Sequence, residues 1–165
     1  MVPRIASVVE QWGAQLDLSQ RRSLEMLISA LPARIDAVAE CGIPDVLVHG
    51  DFHPGNVAGR PGGYTILDWG DSFLGHPLID ELAFVERLSP SMQPVARDWF
   101  VTAWQHAEPT SDPARAARLL EPVVALLAAV MYANFCTSIE PDERIYHAAD
   151  VLRMLRQATR SNTRL

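Results

Sequence analysis

Apolar residues recur every three to four positions over residues 4–17 and again over 19–40, which predicts two amphipathic helices. Ser19 stands where the second helix would take its N-cap, and Pro32 is expected to break or kink that helix near Leu31. Cys41-Gly42-Ile43-Pro44 reads as a stop. The period then changes. Val46-Leu47-Val48-His49 is a short, β-rich apolar run, the pattern of a buried strand. Asn56-Val57-Ala58 and Tyr64-Thr65-Ile66-Leu67 predict two further strands, and the turn chemistry of Arg60-Pro61-Gly62-Gly63 joins them into a β-hairpin. After Gly75-His76-Pro77 the helical pattern returns over 78–88, 92–107, 113–138 and 142–160. Pro77 suits a first helical turn, Asp80 and Glu81 favour the same end, and Pro122 is expected to kink the third of these helices. The prediction is an α+β chain, mostly helical, with a small β-rich region in its middle and no repeat or interdomain linker.

Composition narrows the classes. The chain has 165 residues, 48% apolar and 21% charged, an ordinary globular balance. At this length a folded chain buries about two-thirds of its unfolded surface. The net charge of −6 excludes a non-specific nucleic-acid binder. All fourteen basic residues are Arg, which excludes Schiff-base chemistry and a Walker-type phosphate-binding Lys. The run Val123–Ala133 is shorter than the about 20 residues that span a bilayer, so it predicts a buried core helix and no membrane partner. Cys41 and Cys136 have no metal-ligand or redox spacing and sit in apolar surroundings. Buried free thiols in a reducing, cytoplasmic compartment are expected, and Met1-Val2-Pro3-Arg4 opens no signal peptide. Trp69, Phe73, Phe84, Trp99, Phe100 and Trp104 are expected to pack the core or line its edge, and Arg153, Arg156, Arg160 and Arg164 to form a solvated helix face.

The chemistry concentrates in the middle. Seven of the nine glycines fall between Gly50 and Gly75, with Asp51, Asp68, Asp71 and Asp80 in the same neighbourhood. In His49-Gly50-Asp51-Phe52-His53-Pro54-Gly55-Asn56, Asp51 and Asn56 straddle a tight turn directly after a strand, where a short loop holds side chains rigidly. The return of the hairpin can bring Asp68 beside Asn56. An amide oxygen and a carboxylate are hard ligands suited to Mg²⁺, with water and phosphates completing its shell. Asp51 is then a carboxylate free to orient an attacking hydroxyl and accept its proton. His53 completes an Asp-x-His and reads either as a metal ligand or as a loop residue with a backbone hydrogen bond. Asp71 reads either as a carboxylate beside the site or as an exposed loop residue. Gly59-Arg60-Pro61-Gly62-Gly63 lacks the Lys-Ser/Thr and the helix of a phosphate loop, so the turn reading holds there.

His-x-Asp-x-x-x-x-Asn followed by a strand-borne Asp resembles the catalytic half of the protein-kinase-like fold. The wording HGDFHPGN, then ILDWGDSFLGHPLIDELA, resembles its aminoglycoside phosphotransferase and choline-kinase-like branch. Gly50 stands where protein kinases carry Arg, and Asp68-Trp69-Gly70 where they carry Asp-Phe-Gly. The resemblance implies a kinase-like C-terminal lobe over residues 1–165, with a catalytic loop at 49–56 and a metal-binding segment at 66–71. It implies Asp51 as catalytic base, Asn56 and Asp68 as Mg²⁺ ligands, and ATP as co-substrate. His49 matches a loop-bracing position, and Asp80 matches a helix-borne Asp that ties the catalytic loop through backbone N–H groups. The implied reaction is ATP-dependent phosphorylation of a hydroxyl on a small molecule.

Such an enzyme carries a smaller N-terminal lobe with a Gly-rich loop and a strand Lys. Neither is present here, so that nucleotide lobe is expected to be absent. The expected partners are a small-molecule hydroxyl acceptor and either a separate N-terminal lobe or a second copy docked on the exposed lobe face. Two alternatives stand beside the kinase: a non-catalytic remnant acting as a ligand-binding or interaction module, and a metal-dependent hydrolase using His49, Asp51, His53 and Asp68. The hydrolase is the weaker, because His76, His106 and His147 stand alone in the sequence.

Overall fold

The computed structural model describes residues 2–162. Six helices and four short strands follow in order: α1 (Val2–Trp12), α2 (Leu18–Ala39), β1 (Val46–Val48), β2 (Val57–Arg60), β3 (Gly63–Ile66), β4 (Phe73–Gly75), α3 (Leu78–Glu86), α4 (Gln93–Ala107), α5 (Pro113–Ser138) and α6 (Arg144–Asn162). The chain packs as two compact units. One comprises the segment ending at Ala37 together with the segment beginning at Arg118; the other is Val38–Ala117.

The first unit is all helical. Ser19 does not cap α2 as its sequence suggests. The helix opens at Leu18, and Asp17 takes the cap: its Oδ1 accepts from the Gln20 N–H at 2.8 Å while Gln20 Oε1 accepts from the Asp17 N–H at 3.2 Å. This reciprocal box satisfies two donors that a helix start otherwise leaves open. Pro32 lies inside α2 and does not break it. Leu27 and Leu31 before it and Arg34 after it are all buried, and that burial outweighs the local cost of proline, about 3 kcal/mol. Pro122 lies inside α5 in the same way. The buried Arg34 donates to the Leu119 carbonyl at 3.1 Å and to Asn162 Oδ1 at 2.8 Å, tying α2 to α5 and α6. Burial lowers its pKa. By length and composition α5 meets the requirements of a membrane span, yet Val123, Ala125, Leu126, Ala129 and Ala133 are buried within the fold. Cys136, and Cys41 in the second unit, are buried and neither is in a disulfide. Of the Arg stripe, Arg153 is exposed and donates to Asp150; Arg164 lies outside the described residues.

The second unit carries the strands in two separate antiparallel pairs. The predicted hairpin forms as β2 with β3, in the register Val57↔Ile66 to Arg60↔Gly63. The strand at Val46 pairs instead with β4, which the sequence pattern did not suggest: Val46↔Gly75, Leu47↔Leu74 and Val48↔Phe73. Three residues are too few for a period-2 signal to emerge. One expectation fails on α4. Trp99 is 77% exposed, whereas Phe100 and Trp104 are half-buried. Residues 100 and 104 lie on one helical face, and residue 99 is turned about 100° from Phe100. Trp69 and Phe73 are also exposed rather than core.

The entry to α3 is held by His76. Its Nδ1 accepts from the Leu78 N–H at 3.3 Å, so the neutral ring carries its proton on Nε2, which is buried with no partner among the described residues. Burial lowers the pKa of His76 below 6.5, an effect that Asp45 partly offsets. The unfolded chain therefore takes up this proton before the folded chain does. The stabilisation is complete above pH 6.5 and is lost as pH falls toward the lower folded value. Urea midpoints at about pH 7.5 and about pH 5.5 are expected to differ in the wild type and to converge in His76→Asn, whose Oδ1 preserves the cap. An unchanged pH dependence in that variant would contradict this assignment.

Candidate active site

The loop that follows β1 is anchored at its first two amides. The chain leaves the sheet after the fully buried Val48, and no strand continues to pair the next N–H groups. Asp80, in the first turn of α3, accepts both: Oδ2 takes the His49 N–H at 2.6 Å and Oδ1 takes the Gly50 N–H at 3.0 Å. Gly50 is required here. Its φ is +87°, and a Cβ would stand 2.3 Å from the Asp71 carbonyl oxygen. Close approach of these two loops therefore excludes a side chain at the position that follows His49.

His49 is 2% exposed and is used at both ring nitrogens. A carbonyl only accepts, so Nε2–H donates to the Leu67 carbonyl at 2.7 Å; Nδ1 then accepts from the Asp51 N–H at 3.3 Å. The ring is neutral in this arrangement, and it links the start of the loop after β1 to the residue before Asp68. Aromatic neighbours wall it in. Trp69 stands 4.8 Å and Phe52 5.8 Å from it, and Phe52 stacks at 4.9 Å on Phe84 of α3, which in turn meets Phe100 of α4.

Asn56 is placed by its own amide. Nδ2 donates to the Asp51 carbonyl at 3.0 Å, which leaves Oδ1 free to face outward as an acceptor or ligand. Its backbone oxygen accepts from the Leu67 N–H at 2.8 Å, extending the β2–β3 register by one residue. The hairpin thus returns the chain beside Asn56 one residue before Asp68. Asp68 is the only non-glycine among the described residues with a positive φ, +58°. That left-handed conformation costs of order 1 kcal/mol or more for a residue with a Cβ, and such strain gathers at functional sites. It lets the chain leave β3 sharply into the 3₁₀ turn Trp69–Asp71.

Asp51 is half-exposed, as a group meeting a ligand must be, and its Oδ2 lies 3.5 Å from His53 Nε2. His53 also caps the 3₁₀ turn Pro54–Asn56, with Nδ1 accepting from the Gly55 N–H at 3.0 Å. The backbone hydrogen bond weighed for His53 is therefore present. Asp71 is exposed, and its backbone meets the loop after β1 beside Gly50. Among the described residues no group of three or more His, Cys, Asp or Glu could by itself hold a metal ion. The donor set of Asn56 Oδ1 and the Asp68 carboxylate suits Mg²⁺, which keeps water and phosphate oxygens in its shell.

Sequence reasoning missed the β1–β4 pairing that carries the loop, the row from Trp69 to Phe100, and the Asp51–His53 contact. The spacing Asp-x-His was the available signal for the last. Several large apolar side chains are exposed on the same unit. The cross-strand partners Leu47 and Leu74 are 64% and 76% exposed, and Tyr64, Ile66, Leu67, Trp69 and Phe73 are exposed as well.

Comparison with known proteins gives this architecture relatives. The family model described as phosphotransferase enzyme family (APH) matches residues 3–117. The fold is similar to that of aminoglycoside phosphotransferase APH(2'')-Ib bound to ADP, at a TM-score of 0.55 and 19% identity over 95% of this chain and 50% of that one. It is also similar to an ethanolamine kinase of Plasmodium vivax, at a TM-score of 0.52 and 13% identity over 98% of this chain and 50% of that one. The chain therefore spans about half the length of these neighbours. At such identities the likeness establishes a shared fold: a mostly helical, kinase-like C-terminal lobe. No curated protein matches the sequence.

Asp80→Asn is expected to replace one accepting oxygen by an amide that faces an N–H. It forfeits a hydrogen bond to a charged group, worth about 1.5–3 kcal/mol. Hydrogen exchange at the His49 and Gly50 amides should accelerate, and wild-type rates at both would refute the anchoring role.

Proposed function

We propose that this chain, which belongs to the phosphotransferase enzyme family, is the catalytic half of an ATP-dependent kinase that phosphorylates a hydroxyl group of a small molecule. The observation that carries the reading is the joint placement of Asp51 and Asn56. One side chain fixes the backbone of the other, and the hairpin returns the Asp68 segment to the same place. In this reading Asp51 accepts the proton of the acceptor hydroxyl. Asn56 Oδ1 and the Asp68 carboxylate hold Mg²⁺, which when bound neutralises charge on the phosphates. His49 and Asp80 keep the loop rigid, and rigidity matters because phosphoryl transfer depends almost wholly on positioning and charge.

The ADP in the aminoglycoside phosphotransferase neighbour supports a nucleotide as co-substrate. The names of the two neighbours support a hydroxyl-bearing small molecule as acceptor. The acidic balance of the chain suits a cationic one. A phosphate-pairing Lys must come from elsewhere, since every basic residue here is Arg. We place that Lys on a further lobe seated on the exposed face around Leu47 and Leu74. The two buried cysteines, neither in a disulfide, fit a reducing cytoplasm. The hydrolase alternative draws no support from the described residues, which hold no His/Asp cluster of the size it needs. A non-catalytic ligand-binding or interaction module is the second reading, favoured by the absence of any Lys in the sequence.

Calorimetry and a phosphoryl-transfer screen on the intact gene product separate these readings. Nucleotide binding is expected to require Mg²⁺ and to weaken in Asn56→Ala, which removes one ligand of the ion. Asp51→Asn should retain binding and lose about 10²- to 10⁴-fold in kcat. Absence of Mg²⁺-dependent binding would favour the non-catalytic module, and phosphatase activity that survives Asn56→Ala would sink the kinase. The 165-residue chain alone is expected to self-associate through its apolar face, and a monodisperse monomer in light scattering would count against that.

A further inference from the structure

Three polar side chains meet Asp51, each at a different group. His49 Nδ1 accepts from its N–H, Asn56 Nδ2 donates to its carbonyl, and His53 Nε2 faces its carboxylate at 3.5 Å. The first two hold backbone; only His53 touches the oxygens that would do chemistry. Its ring is not free to choose its proton. Nδ1 accepts from the Gly55 N–H at 3.0 Å, so in the neutral ring the proton is on Nε2, the nitrogen that lies 3.5 Å from Asp51 Oδ2. Space for this ring is built into the loop, because a Cβ on residue 55 would stand 2.8 Å from His53 Cε1, and glycine leaves that volume open.

We infer that His53 is a positioning residue: its Nε2–H engages Oδ2 of Asp51, holds the carboxylate in one rotamer, and leaves Oδ1 as the oxygen presented to the acceptor hydroxyl. The separation is long for a hydrogen bond, as catalytic contacts are before substrate closes the site, and it shortens as ligand excludes water. A carboxylate on a half-exposed surface rotates freely unless something holds it, and a general base delivers its rate only in the productive geometry. The inference rests on the phosphotransferase reading for its catalytic meaning, while the orientation itself is independent of that reading.

Two substitutions divide the ring between its nitrogens. In His53→Asn the amide oxygen occupies the place of Nδ1 and keeps the Gly55 bond, but nothing reaches Asp51. In His53→Gln an amide N–H reaches the place of Nε2, and the cap is weakened. Three-bond N–Cγ and C′–Cγ couplings of Asp51, measured on the 165-residue chain, report its χ1 populations. A single rotamer is expected in the wild type and in His53→Gln, and averaging in His53→Asn. With the intact gene product, kcat is expected to fall about 10- to 100-fold in His53→Asn at unchanged KM and to recover in His53→Gln. The reverse pattern, with Asn preserving both the rotamer and kcat while Gln loses them, would mean that His53 only caps the turn, and the inference falls. If no variant and no wild-type preparation transfers phosphate, the function reading fails by itself and the couplings alone decide the orientation.

Discussion

A loop that carries reactive groups at the end of a short strand has a structural problem. Its amides leave the ladder, and unless something accepts them the loop frays into water. Here one carboxylate solves it. Asp80 takes the N–H groups of both His49 and Gly50, so the two residues before Asp51 are held to the first turn of α3. Bonds to a charged acceptor are among the stronger that a protein makes. The helix N-terminus adds its own favourable field to a carboxylate in that turn. Everything else at the site is built outward from this anchor.

The second constraint is closeness. His49 can reach the Leu67 carbonyl only if the loop after β1 and the segment after β3 lie against each other, and they do so because Gly50 offers no side chain to the Asp71 carbonyl. Asp68 accepts an unfavourable backbone conformation within this contact. The row Trp69, His49, Phe52, Phe84 and Phe100 then fills the side of the site that faces α3 and α4. Rigidity arises from polar bonds on one side of His49 and aromatic packing on the other. Such an arrangement keeps Asp51, Asn56 and the Asp68 segment in register while their functional atoms remain open to solvent.

The unit that carries the site is unevenly covered. Val48, Leu78, Leu82 and Val85 are buried, whereas Leu47, Leu74, Tyr64 and Trp69 are exposed. Alternation along β1 explains the contrast, since Val48 faces the core and Leu47 faces away. The two similar solved structures are about twice as long as this chain, and the apolar side chains left uncovered here lie on the strands beside the loop.

Helices, hairpin and motif were legible in the sequence because each is local. Amphipathic period, turn residues and the spacing of Asp51, Asn56 and Asp68 are written within a few positions of one another. The outward turn of Trp99 was misread and α2 does not break at Pro32, because both depend on which neighbours bury the surrounding residues, and burial overrides propensity. The cap of α2 was misread for a local reason, since Asp17 and Gln20 form a reciprocal box two residues before the position that Ser19 suggested. The pairing of β1 with β4 joins residues more than twenty positions apart, and no period of three residues announces it. The sequence alone therefore determined which carboxylate, amide and imidazole side chains stand in the loop and the segment after the hairpin. Only the tertiary structure decided how they are held: which nitrogen of each histidine carries the proton, which oxygen of Asp51 is engaged, and why position 50 admits no side chain. Those depend on distances between segments that chain order leaves open.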